Sequence, residues 1–193
     1  RRRRPEKYTH QILGGWLEKQ EGVIFRNWRI GEFNENYDIY YGQDFGFSID
    51  PTVLTKLSID RRGRRIYCKV MYCKPGLSTT QIADFNIRYA GPHLIICDSA
   101  EPRLINEVKL KGVNIRPTIK RKGSILSGIA LLQDFDLIID PDSTELVKEL
   151  NNYVWATKGQ TKPVDRWNHC IDSIRYAAQY ALEGFSKGTY SIR

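Results

Sequence analysis

Two short, wholly apolar runs in the second half of the chain constrain the fold most. Leu94 to Cys97 and Leu137 to Ile139 contain no charged or amide side chain, which is typical of strands covered on both faces. Each run follows a stretch with helical spacing and precedes another. This alternation predicts parallel strands in a sheet that carries helices on both faces.

The residues before this alternation predict three antiparallel strands. Tyr37 to Phe47 is the first, and the β-branched and aromatic runs Thr52 to Ile59 and Arg65 to Cys73 flank a strong hairpin signal at residues 60–64. The later elements are predicted as helices over 78–89, 101–111, 124–135, 144–155 and 167–183, with a further strand over 113–119. We therefore expect an α/β fold with a mixed five-stranded sheet, three antiparallel strands and then parallel strands.

The length of 193 residues suits one domain with a short appendage. Residues 1–35 show no clean repeat; Tyr8 to Lys19 resembles a short helix and Val23 to Ile30 a short strand. We expect residues 1–35 to form an adapter that packs on a main domain of residues 36–193. No apolar run reaches the ~20 residues that cross a bilayer, and no secretion signal is evident, so no membrane partner is expected.

Charge and cysteine content give weaker guidance. The chain carries 30 basic and 22 acidic residues, a net charge of +8 that suits a polyanionic partner. Half of that excess lies in Arg1 to Arg4, which either grip phosphates or are a remnant between domains. The cysteines form no Cys-x-x-Cys pair, which excludes a zinc knuckle and indicates a reducing, cytosolic setting.

Three acidic residues stand out by their positions. Asp44 follows the first strand, Asp98 follows the buried strand at 94–97, and Asp172 lies inside the last helix. Two of them have a structural alternative: Asp44 could bond to the backbone of its own turn, and Asp98 could cap the helix that follows. Asp172 lies in mid-helix and satisfies no cap, so a structural role explains it less well. Neighbouring strand ends and a helix that crosses them can meet in one crevice.

The last helix supplies independent geometry. At 100° per residue, Asp165, His169 and Asp172 share one face, which suits hard-metal coordination with an added acid, base or ligand. Asp165 is better explained as the cap of the helix N-terminus. The opposite, buried stripe is predicted to contain Trp167, Ile171, Ile174, Ala178 and Ala181.

Three segments resemble one known family. Residues 167–177 look like the His-x-x-Asp-x-x-Arg-Tyr helix of the large terminase subunits of tailed double-stranded DNA bacteriophages. Residues 41–46, Tyr-Gly-Gln-Asp-Phe-Gly, are similar to the first catalytic strand and turn of that family, and residues 94–102 resemble its second. One departure is Asn168, where many relatives carry an acidic residue, and this leaves open whether a further ligand is needed.

The resemblance implies the RNase H-like nuclease half of a DNA-packaging motor, working in the host cell cytoplasm. Asp44, Asp98 and Asp172 would be the metal-binding and catalytic carboxylates, with His169 as a ligand or as a group that orients water. The chain lacks a nucleotide-binding loop, because residues 123–128 have no lysine after the second glycine. As partners, the resemblance implies double-stranded DNA, an ATPase domain of the same polypeptide, a small terminase subunit and a portal ring.

Two Mg²⁺ or Mn²⁺ ions would supply the hydrolytic chemistry that such carboxylates support. Contacts to DNA phosphates, with little sequence specificity, are expected from basic residues around the crevice, namely Arg61, Arg62, Arg64, Arg65, Lys120, Arg121, Lys122, Lys158, Lys162 and Arg166. Arg175 and Tyr176 are expected to hold the helix in place. The alternatives are another RNase H-like nuclease, such as a junction resolvase or an integrase-type enzyme, and a non-catalytic DNA-binding assembly module.

Overall fold

A computed structural model describes residues 22–156 and 162–183 of the protein. The strands in these ranges are β1 (Trp28–Ile30), β2 (Asp38–Asp44), β3 (Pro51–Asp60), β4 (Arg65–Pro75), β5 (Ile95–Cys97), β6 (Ile115–Pro117) and β7 (Asp136–Ile139). The helices are α1 (Thr79–Ala90), α2 (Pro102–Leu110), α3 (Ser124–Gln133), α4 (Thr144–Asn152) and α5 (His169–Glu183).

The strands form one mixed sheet in the order β1-β7-β4-β3-β2-β5-β6. Strand β3 is antiparallel to its neighbours β2 and β4, and every other strand pairing is parallel, which confirms the predicted arrangement. The described part of the sheet has seven strands and not the predicted five. The predicted count of five fell short, although each strand overlaps a segment predicted as a strand. The edge strand β6 lies within the predicted strand 113–119, and the edge strand β1 lies within the adapter strand Val23 to Ile30.

Helices cover both faces of the sheet, as predicted, and create two apolar cores. One core lies under α1 and α2 and includes Ile82, Ile105 and Val108. The other lies under α3, α4 and α5 and includes Leu132, Leu150 and further apolar side chains from these helices and from the sheet. Burial on both faces explains why β5 and residues 137–139 of β7 are uniformly apolar.

The described part of the predicted adapter packs on the main domain. Phe25 is fully buried, the Asn27 side chain donates to the carbonyls of Leu132 and Phe135, and β1 pairs with β7. The boundary at residue 35 stays a prediction, and the predicted helix Tyr8 to Lys19 lies outside the described residues. None of the helices in the described ranges is long and apolar enough to span a bilayer.

Helix α5 lies directly against β2, and this contact places the candidate site. A Cβ atom built on Gly42 would overlap the backbone carbonyl of Ser173, so only glycine permits this approach. The Ser173 hydroxyl lies 2.8 Å from the Gly42 carbonyl oxygen and 2.7 Å from the Thr55 hydroxyl. Both hydroxyls are buried, so this contact fixes the height of α5 along the strand.

The predicted buried stripe of α5 is confirmed at four positions and wrong at Trp167. Ile171, Ile174, Ala178 and Ala181 are buried, whereas Trp167 is 44% exposed. The helix begins at His169, so Trp167 precedes it and does not share its periodicity. Asp165 also precedes the helix and is exposed, so it is not on the helix face with His169.

Ser173→Ala should lower the free energy of unfolding by about 2 kcal/mol, because the Thr55 hydroxyl would be left buried without this partner. Urea denaturation measures this loss. The double variant Thr55→Val/Ser173→Ala should lose less than the sum of the single variants, since it removes both hydroxyls together. Additive losses would mean that the two hydroxyls contribute independently.

Candidate active site

The sheet brings Asp44 and Asp98 to one edge. Strands β2 and β5 are parallel, with Gln43 paired to Cys97, and each aspartate is the next residue in its chain segment. The Asp98 amide donates to the Gln43 carbonyl at 3.1 Å, which holds the two strand ends together. The carboxyl ends of parallel strands are the usual place for a ligand site in an α/β sheet.

Helix α5 adds Asp172 and His169 to this edge. Ser173 lies against Gly42, two residues before Asp44, so the residues that precede Ser173 reach the end of β2. The side chains of Asp44, Asp98 and Asp172 are only 13%, 14% and 16% exposed. The sequence prediction that these elements meet in one crevice is therefore met in the structure.

Asp44 and His169 form a partly buried pair. His169 Nδ1 lies 3.0 Å from Asp44 Oδ2, and its Nε2 lies 3.7 Å from the exposed Asp50. The hydrogen bond to Asp44 raises the pKa of His169 to about 8, against the opposing effect of burial. Burial raises the pKa of Asp44 to about 6, opposed by His169 and reinforced by the charges of Asp172 and Asp98. Between these values the pair is an imidazolium with a carboxylate.

Asp172 is held by a buried arginine from its own helix. Arg175 Nε and Nη2 donate to Asp172 Oδ1 at 3.2 and 3.0 Å, and Arg175 is only 4% exposed. Its aliphatic stem packs against Gly128 of α3, where a Cβ would be 2.5 Å from Arg175 Cγ and Cδ. Burial raises the pKa of Asp172, opposed by Arg175. Arg175 thus positions the Asp172 carboxylate, beyond holding the helix as predicted.

Asp98 is held by the loop between β6 and α3. Lys120 Nζ lies 2.5 Å from Asp98 Oδ1, which also accepts the Ser99 amide at 2.8 Å. The Ala100 amide donates to the second oxygen at 3.3 Å. Asp98 therefore accepts the amides of its own turn and faces a cation from a distant segment. It does not cap α2, whose N-cap residue is Glu101.

Each aspartate thus has a cationic partner, which offsets the repulsion among three partly buried carboxylates. Their carboxylate oxygens are hard donors of the kind that Mg²⁺ and Mn²⁺ prefer, so the donor chemistry fits such an ion. Nevertheless, among residues 22–156 and 162–183 no group of three His, Cys, Asp or Glu side chains is placed to hold a metal ion. An ion site with three protein ligands at this edge therefore requires side chains to move.

Glu149 is a site-building residue that the sequence analysis missed. Its carboxylate, on α4, accepts the backbone amides of Cys170 and Ile171 at 3.1 and 3.0 Å, and so caps α5 beside His169. Burial raises the pKa of Glu149 to about 7, opposed by these two bonds. The available signal was its helical spacing with Leu146 and Leu150, which places an acid on a buried face.

The predicted basic residues divide into a group near the acidic residues and a group on the β3–β4 hairpin. Lys120, Arg121 and Lys162 line a cleft of about 410 Å³ together with Asp172 and Arg175. Arg121 and Lys122 also line an adjoining cleft of about 380 Å³. Arg166 is exposed in the segment before α5, and Lys158 lies outside the described residues. A basic loop therefore borders the acidic residues, as predicted for this group.

The prediction that the hairpin arginines, Arg61, Arg62, Arg64 and Arg65, border the crevice is wrong. Asp44 pairs with Val53 and Asp38 with Ile59, so the turn that follows β3 lies near the start of β2. Six residues of strand separate the two ends, which is about 20 Å. Arg61 donates to the Ala181 carbonyl, Arg64 to the Asp134 carbonyl and Arg65 to Asp60, so these three support the fold.

Comparison with known proteins agrees with this arrangement. Residues 44–179 match the family described as the terminase RNase H-like domain, and the matched region contains all three aspartates and His169. The chain belongs to this family. It is also 32% identical, over 212 residues, to the large terminase subunit of Bacillus phage SPP1, covering 100% of this chain and 48% of that protein. The chain thus spans about half the length of this relative.

Solved terminase structures share the fold. The nuclease domain of the SPP1 large terminase, g2p, crystallised with bound Mn, is 31% identical and superposes with a TM-score of 0.73 over 83% of this chain and 99% of that domain. The nuclease domain of the P22 large terminase, at 18% identity, has a TM-score of 0.68 over 84% and 93% of the two chains. The second likeness concerns the fold alone. The terminase-type RNase H-like fold expected from the sequence is confirmed.

Asp44→Asn should bring the pKa of His169 from about 8 down towards its ordinary 6.5, because the carboxylate that retains the proton is lost. NMR titration of the imidazole in EDTA measures this. Asp50→Asn is the matched control and should cause a smaller shift, since Asp50 is 70% exposed and farther away.

The same pKa fixes the direction of a stability effect. Because His169 has a higher pKa in the folded protein than its ordinary value, its stabilising contribution is complete below pH 6.5 and is lost as the pH rises through about 8.

In the NMR titration, equal changes of the His169 pKa in Asp44→Asn and Asp50→Asn would contradict the assignment of the pair.

Proposed function

We propose that the protein is the metal-dependent nuclease domain of a phage large terminase and cleaves double-stranded DNA during genome packaging. The observation that supports this most is the convergence of three partly buried aspartates at the carboxyl edge of β2 and β5, in a chain of the terminase RNase H-like family. Carboxylates are costly to bury together unless cations neutralise them. A structural role alone would not need three.

Asp44, Asp98 and Asp172 are the residues that would hold the ions. Bound Mg²⁺ or Mn²⁺ would activate water and neutralise charge on the phosphoryl group. Arg175 keeps the Asp172 carboxylate oriented, and Glu149 keeps the first turn of α5 in place. His169, whose raised pKa leaves it protonated near neutral pH in the absence of metal, is positioned to orient water or to become a ligand.

The DNA backbone would lie along the loop at residues 120–122 and the segment that leads into α5. Both lie beside Asp172 in the cleft and supply lysine and arginine side chains. Such contacts bind phosphates without reading bases, which supports cleavage with little sequence specificity. The hairpin arginines have no part in this surface.

The length of the SPP1 relative supports a wider assembly. Because the chain spans about half of the SPP1 large terminase, an ATPase domain in the same polypeptide is part of this proposal. A small terminase subunit, a portal ring and a host-cytoplasmic site of action are also part of it.

Asp44→Ala, Asp98→Ala and Asp172→Ala should each reduce cleavage of supercoiled plasmid in Mn²⁺ by more than about a hundredfold, because each removes an ion ligand directly. Gel analysis with and without EDTA measures the rate, and circular dichroism checks the fold. Asp84→Ala is the control, since Asp84 is exposed on α1. Cleavage that persists in EDTA or in all three variants would refute the proposal. A strong preference for branched over linear DNA would favour the resolvase alternative.

Arg121→Ala should weaken binding to duplex DNA and reduce the slope of log K against log salt by about one, the loss of one phosphate contact. Filter binding in Ca²⁺ at several salt concentrations measures both quantities. Arg62→Ala carries the same charge change at the far end of β2 and should leave the slope unchanged. Equal effects from both variants would place DNA elsewhere.

A further inference from the structure

The contact between Lys120 and Asp98 has features that the other two aspartate pairs lack. The Lys120 side chain is 49% exposed, whereas that of Arg175 is 4% exposed and that of His169 is 26% exposed. Lys120 lies in a loop, while Arg175 and His169 belong to α5. Of the three cationic partners, Lys120 is therefore the one that can leave without disturbing the packed helix.

The backbone near Lys120 is anchored even though its side chain is exposed. The Thr118 amide donates to the Cys97 carbonyl at 2.8 Å, directly beside Asp98. This bond places the backbone of the loop next to the acidic edge. The four-carbon stem of Lys120 then lets its ammonium group move by several ångströms while the backbone stays fixed. A compact point charge on such a stem can occupy the place of a small cation.

The acidic edge is already occupied by a cation of the protein itself. The described residues include no ready group of metal ligands, although three hard carboxylates meet at this edge. Lys120 occupies one oxygen of Asp98, and the backbone amide of Ser99 bonds to the same oxygen. A divalent ion that binds Asp98 must therefore compete with the ammonium group.

We infer that Lys120 is a stand-in cation: its ammonium neutralises Asp98 until a divalent ion displaces it. This inference rests on the proposed function, since it assumes that Asp98 binds an ion. Lys120 acts through Asp98 and is a positioning residue. Its displacement sets the metal concentration at which the site fills, and frees a positive charge in the cleft that Asp172 also lines.

Mn²⁺ binding to the full 193-residue chain, followed by the EPR signal of free Mn²⁺ at pH 7, tests the inference. Lys120→Gln should bind Mn²⁺ about fivefold more tightly than the wild type, the change that one half-exposed ion pair can supply. Lys120→Arg, which keeps the charge, should stay within about twofold of the wild type on the same scale. Lys122→Gln is the matched control, because Lys122 lies on the same loop but makes no ion pair with a described residue.

Thermal unfolding in EDTA separates this role from a structural one. Lys120→Gln should unfold roughly 2 to 4 °C below the wild type, because the carboxylates lose a counter-charge. Saturating Mn²⁺ should abolish that difference. A lysine that only supports the fold would lower the stability under both conditions and would not tighten metal binding.

Two results overturn the inference alone: unchanged Mn²⁺ affinity in Lys120→Gln, or an equal gain in Lys122→Gln, while the wild type binds Mn²⁺. The proposed nuclease site would then stand with Lys120 as an ordinary surface residue. If the wild-type chain binds no Mn²⁺, the metal site and the inference fail together.

Discussion

The close approach of α5 to β2 at Gly42 is the contact on which the site depends. A helix normally packs on a sheet through side chains, but here the Ser173 carbonyl occupies the space that a Cβ of residue 42 would need. This brings the first turn of α5 to the end of the strand, where Asp44 begins the turn. Without it, His169 would not reach the Asp44 carboxylate, and the long-range acid cluster would not form.

Charge compensation is the second constraint. Three carboxylates that are each less than a fifth exposed would repel one another strongly if they stood alone. The protein offsets this with three different cations, a histidine, a lysine and an arginine. Burial raises the pKa of Asp44 and of Asp172 even with these cations beside them, so keeping both carboxylates charged has a cost that a further positive charge would reduce. The charge balance at these three carboxylates therefore supports the proposed ion-dependent chemistry.

Much of this could be predicted because it is local. Runs of β-branched and aromatic residues around a hairpin signal predicted the antiparallel strands, and all five described helices lie within three residues of the predicted ranges. The strand-end positions of Asp44 and Asp98 followed from the same pattern. Helical spacing also predicted most of the buried face of α5, and failed at Trp167 because the helix begins later.

What the sequence alone determined, therefore, is the set of elements, the terminase resemblance and the acids that meet at one edge. Tertiary structure alone decided which cations face those acids: it placed the hairpin arginines about 20 Å away along β2 and brought Lys120 to Asp98. It also placed the Glu149 carboxylate against the first turn of α5, which begins 20 residues later, so that Glu149 caps this helix. Periodicity reports which face of an element is buried, whereas strand order and loop paths, set by packing over the whole sheet, decide which side chains face one another across it.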